Sequence, residues 1–107
     1  IVFEEGGEYL ISFTAEITST SSSDVTFYFW PAINGTNVTG STMVNVLHQN
    51  GANLVVSRAA IFDVNDDDYL EVKWAVDSTN GSLNSTAATS FAPASPASTL
   101  AITRIHA

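Results

Sequence analysis

Val25-Thr26-Phe27-Tyr28-Phe29-Trp30-Pro31, followed closely by Asn34-Gly35, decides the fold of this 107-residue chain. In a strand, alternate side chains point to opposite faces, so Phe27 and Phe29 share one face while Tyr28 and Trp30 share the other. Neither face is polar. One belongs to the chain's own core, and the other needs cover from a second sheet or a second subunit. The reading is a β-protein that assembles. Asn34-Gly35 fixes where the strand ends, because this pair accepts the positive φ angles of a tight hairpin turn.

The alternation continues on either side. From Tyr9 to Ile17 the odd positions are apolar and the even ones after Leu10 are polar, a half-buried strand that starts behind Gly6-Gly7. Ser19 to Ser23 is a polar loop. Asn37 and Gly40 mark a second bend, Thr42 to His48 a further strand, and Asn50-Gly51 another turn. Leu54 to Val64 is apolar on both sides for much of its length. Asn65-Asp66-Asp67-Asp68 is an exposed turn, after which Tyr69 to Asp77 directs Leu70, Val72, Trp74 and Val76 inward and Glu71, Lys73 and Asp77 outward. Ser78 to Ser98 reads as a long loop broken by Pro93 and Pro96, with a short strand expected near Ala88 to Phe91. Leu100 to His106 closes the chain as a strand. No repeat is evident. Seven or eight short strands joined by tight turns predict an all-β fold, an antiparallel β-sandwich or jelly roll, as a single domain over residues 1–107. Because Ile1 already reads as strand, the chain is expected to be the C-terminal part of something longer.

Composition narrows the function classes. Cysteine is absent, so packing alone must hold the domain, without disulfides or thiolate metal sites. An apolar fraction of 45% marks a globular chain rather than a disordered one. No apolar run approaches the roughly 20 residues that span a bilayer, which predicts a water-soluble domain with no membrane partner. Eleven acidic residues face only Arg58, Lys73 and Arg104, giving a net charge of −8, and none of the first 57 residues is Lys or Arg. Nucleic acid and anionic membranes, which need clustered cations, are thereby excluded as partners. A partner should be neutral or cationic; the plain alternative is that the charge keeps a Ser/Thr-rich surface in solution.

Taken in order, Gly7-x-Tyr9-x-Ile11-Ser12-Phe13, the aromatic strand running into Asn34-Gly35, Ser57 to Phe62, Asp68-Tyr69-Leu70-Glu71-Val72 and Ser98-Thr99-Leu100-Ala101-Ile102 form a pattern. It resembles the tumour-necrosis-factor and complement-type globular head, over nearly the whole chain from Val2 to Ala107. Asp67 stands where that family usually has glycine. Trp30-Pro31-Ala32-Ile33-Asn34-Gly35, with the Pro-rich loop and short terminal strand, looks most like versions in tailed-bacteriophage virion proteins. The resemblance implies a homotrimer with one sheet of each jelly roll packed around a threefold axis. Tyr28 and Trp30 then become candidates for the trimer interface; the alternative places them beneath the chain's own loop from Ser78 to Ser98.

No catalytic constellation emerges. There is no Gly-x-Ser-x-Gly elbow, and no serine is marked by a base with an orienting acid. Glu4 and Glu5 are adjacent, so in a strand they point apart. Asp63, Asn65 and Asp67 alternate like the opening of a calcium loop, but Asp68 occupies the position that requires glycine and Trp74 that of the terminal acid. His48 and His106 have no ligand-spaced partner. No cofactor, no metal and no enzyme activity are expected. The four sequons at Asn34, Asn37, Asn80 and Asn84 read as turns. Asn34, Asn37, Asp66, Asp67 and Asp68 are the candidate ligand-binding loop residues, since amides and carboxylates supply paired hydrogen bonds to carbohydrate. The expectation is a non-enzymatic trimeric head on a virion surface or fibre, attaching to a host glycan or protein. The alternative is a purely structural decoration or fibre-trimerisation module that contacts only itself and other virion proteins.

Overall fold

The computed structural model describes every residue except Gln49, and the described residues form eight strands. They are β1 (Gly7–Ser19), β2 (Val25–Ile33), β3 (Thr36–Asn37), β4 (Met43–Leu47), β5 (Asn53–Val64), β6 (Leu70–Val76), β7 (Gly81–Leu83) and β8 (Ser98–His106). Two four-stranded sheets result, with every pairing antiparallel. In the first, β1 lies between β5 and β8, and β7 continues the β8 side beside Ile17 to Ser19. In the second, β2 lies between β6 and β4, and β3 continues the β4 side beside Ala32 and Ile33. The molecule is only 16 Å thick against 46 and 34 Å in the other directions, as two stacked sheets require.

The core lies where the alternation puts it. Ala15, Ile17 and Val56 of the first sheet meet Val25, Phe27, Phe29 and Leu47 of the second, all buried. Phe13 and Phe29 touch across the gap with ring centroids 5.4 Å apart. A second group, Phe3, Ile11, Val64 and Leu70, closes the other end. Burying side chains of this size contributes about 1.5–3 kcal/mol each before ordering costs. Beside the first group, Asn45 opposes Phe27 in the ladder, and its Nδ2 is buried without a hydrogen-bond partner.

Pro31 tests this arrangement, since proline in a central strand normally deletes a ladder bond. Its carbonyl accepts from Val38 N at 3.0 Å, so its nitrogen faces the same edge. That edge is where β4 has ended at Phe29 and β3 begins at Ala32, so no ladder donor is missing. Asn34 and Gly35 adopt φ of 52° and 81°, the mirror-image turn expected of this pair.

Several local expectations change. The stretch from Ser78 to Ser98, expected as loop, contains β7, which pairs with Ile17 to Ser19 of β1. Trp74 stacks on Phe29 at 6.4 Å but remains 42% exposed, because β6 is an edge strand. Ala88 to Phe91 is not a strand. Thr89 Oγ1 instead accepts from Phe91 N and Ala92 N at 3.1 and 3.2 Å, and the hydroxyl closes a turn. Ile1 lies outside the eight strands but beside the antiparallel bridge between Val2 and Tyr69, donating to Leu70 O at 3.1 Å and accepting from Leu70 N at 2.7 Å.

Candidate functional surfaces

The expected site residues fall into two groups. Asn34 and the acidic turn come together at one end of the sandwich. Asn34 Nδ2 donates to Asp68 Oδ1 at 2.8 Å, Tyr69 N donates to Asn34 Oδ1 at 3.0 Å, and Asn65 N donates to Asp68 Oδ2 at 2.8 Å. Gly6 N donates to Asp66 Oδ1 at 2.6 Å. Asp67 turns the chain at φ 66°, a left-handed conformation that suits glycine better. The Asn65 N–H, and after it the Asn34 amide, hold the Asp68 carboxyl below its ordinary range against a smaller opposing effect of burial. Both Asp68 oxygens and one of Asp66 are thus engaged in joining the two turns and the N-terminal segment. Among the described residues no three His, Cys, Asp or Glu side chains converge as a metal site would need.

Asn37 belongs elsewhere. It accepts from Trp30 Nε1 at 2.9 Å on the outer face of the β2 sheet. There Tyr28, Trp30, Asn37, Thr39, Thr42 and Ala75 line a shallow hollow of about 420 Å³, with both aromatics half-buried. The segment from Ser78 to Ser98 does not cover it. That segment follows the β1 sheet, donating from Asn84 N to Glu16 O at 2.9 Å and accepting from Glu16 N at Ala97 O, also at 2.9 Å. The alternative that Tyr28 and Trp30 lie beneath their own loop is therefore set aside.

The outer face of the β1 sheet is the feature sequence reasoning did not assemble. The ladder places Leu10 between Ile61 and Thr103, Ser12 between Ala59 and Ala101, and Thr14 between Ser57 and Thr99. None of these side chains is charged. Leu10, Val55 and Ile61 are 39%, 64% and 61% exposed. Charges bound the block only at its ends, with Glu8 opposite Asp63 at one and Glu16 opposite Val55 at the other. The signal was present in the sequence as the two-sided apolar character of Leu54 to Val64 and in Leu10, which breaks the alternation of β1.

A third feature is an apolar slot of about 170 Å³ between the sheets on the side where β5 faces β4. Arg58 spans it, donating from Nη1 to the carbonyls of Thr42 at 3.2 Å and Ser41 at 3.4 Å. No family model, no curated protein and no solved structure matches this chain.

Proposed function

We propose that this chain is a non-enzymatic homotrimeric head that attaches a virion to a host-surface glycan or protein. The observation that carries the reading is the uncharged outer face of the β1 sheet. A chain with a net charge of −8 repels its own copies unless they meet where charge is absent, and exposed Leu10, Val55 and Ile61 on that block favour burial. Self-association accordingly uses this face. A jelly roll is supported by the crossings between sheets at β1 to β2, β4 to β5, β5 to β6 and β6 to β7, while β2, β3 and β4 stay in one sheet and β7 and β8 in the other. The virion setting rests on the likeness of Trp30 to Gly35 to tailed-phage head domains.

With the β1 face turned to its copies, Tyr28 and Trp30 lie on the outward sheet and take the ligand. Their rings offer stacking faces. Asn37, Thr39 and Thr42 add neutral hydrogen-bonding groups, a combination suited to carbohydrate. The indole N–H commits the Asn37 oxygen and leaves its Nδ2 to donate elsewhere.

A glycan array and whole-cell binding assay test this directly. Saturable binding that is lost in Trp30→Ala and Asn37→Ala, with unchanged sedimentation, is expected. Dissociation of Tyr28→Ala/Trp30→Ala into monomers would return those aromatics to a subunit contact. No saturable binding would favour the purely structural module.

A further inference from the structure

Complementary features lie on opposite edges of the sandwich. On one edge, where β5 faces β4, the slot between the sheets is lined by Phe13, Phe29, Met43, Ala60 and Phe62, with Arg58 across it. On the other, beyond β1, the connection from β7 to β8 forms a small lobe. Its base is an antiparallel bridge between Thr86 and Ser95. Its tip is closed by Thr89, which also donates from its backbone N to Ala92 O at 2.9 Å. Phe91 stands on that tip and is 97% exposed, more than any other large apolar side chain described. A fully solvated phenylalanine on an internally hydrogen-bonded turn is held in place for contact at a cost that the isolated chain does not recover.

We propose that Phe91 of one copy fills the slot of the next, in a head-to-tail contact that closes the trimer. The inference rests on the self-associating reading above and deepens it. Size agrees, because a cavity of about 150 Å³ lined by apolar side chains accommodates one benzene ring, close to the volume of this slot. Charge agrees as well. Residues 78–103 contain no Asp, Glu, Lys, Arg or His, so the lobe brings no charge of its own to another copy; the Glu16 carboxylate lies at its base, accepting from Thr86 Oγ1 at 3.4 Å. Arg58 has no carboxylate partner among the described residues, and its guanidinium suits the face of an incoming ring. Knob and slot on opposite edges make a heterologous contact, the kind that forms a ring when its rotation closes.

The absence of cysteine makes the test clean. Ser90→Cys and Ser41→Cys place one thiol each beside the knob and at the slot; when the two proteins are mixed and oxidised at micromolar concentration, a disulfide-linked heterodimer is expected. Adding Phe91→Ala to the Ser90→Cys protein should abolish it. Phe91→Ala alone should weaken self-association by about tenfold or more in sedimentation, as removal of a central aromatic contact does. Its far-UV spectrum should not change, since the ring touches little in its own chain. A Phe91→Ala protein that remains trimeric, with no selective cross-link, overturns the knob and leaves the trimer standing. A wild-type protein that sediments as a monomer overturns both.

Discussion

Gly81→Ala adds one methyl group at the seat of β7. The new Cβ would lie 2.6 Å from Val76 Cγ2, 2.9 Å from Phe27 Cζ and 2.9 Å from Val25 Cγ1. Carbon atoms in contact sit about 3.5–4.0 Å apart, so either β7 withdraws from the core by roughly 1 Å or the side chains shift. Neither is easy. Phe27 and Val25 are fully buried, and Val76 is β-branched with a stiff χ1. Withdrawal would strain the pairing of Gly81 with Ser19, itself buried. Overpacking of this kind costs about 1–3 kcal/mol, a large share of the ~5–15 kcal/mol that holds a typical domain. At this chain length that corresponds to a fall in Tm of roughly 5–20 °C. Gly40→Ala is the matched control: its φ of 77° is strained for alanine, but nothing lies within 4 Å, so only the backbone cost of about 1 kcal/mol applies. Urea unfolding followed by circular dichroism, at one fixed protein concentration because association contributes, measures both. A Gly81→Ala protein as stable as wild type would refute the packing of β7 against Phe27.

Asp67→Gly should raise stability by about 1 kcal/mol, because φ of 66° suits glycine better than aspartate; a loss in thermal melting would show that the Asp67 side chain has a compensating contact. Asn45→Leu should stabilise by about 1–3 kcal/mol by removing a buried amide nitrogen without a partner, and destabilisation in urea would show that it is satisfied. The Asp68 carboxyl has a folded pKa below its ordinary 3.8, so its stabilisation is present above that value and lost as pH falls through the folded one. Asp68→Asn should therefore be less stable than wild type at pH 7, with the two melting curves converging in acid; a constant gap from pH 7 to pH 2 would contradict this.

The positions of the strands were legible because period-two alternation records which face is buried. Tyr9 to Ile17 located β1, and the ladder extends it only to Gly7 and Ser19. Tyr28 and Trp30 were read correctly as a second, outward face of β2, yet a single strand says nothing of what lies beyond that face. β7 was hidden because Gly81-Ser82-Leu83 is too short to show a period, and its position depends on the close approach of Gly81 to the core. The turn at Thr89 was missed since a hydroxyl-closed turn has no apolar pattern. Asn34 with Asp68, Trp30 with Asn37, and the slot spanned by Arg58 join residues distant in sequence, and only the pairing of β2, β5 and β6 with their neighbours brings them together. The uncharged block on the β1 sheet is likewise a property of register across three strands, which no single segment displays.

Sedimentation equilibrium at micromolar concentration, on the wild type beside Ile61→Lys/Val55→Lys, tests the assembled head most directly. The account predicts a wild-type mass of about 34 kDa, three times the 11.4 kDa of one chain, and monomers for the variant, whose added charges lie on the exposed β1 face. A wild type that stays at 11.4 kDa throughout, or a lysine variant that remains trimeric, would contradict it.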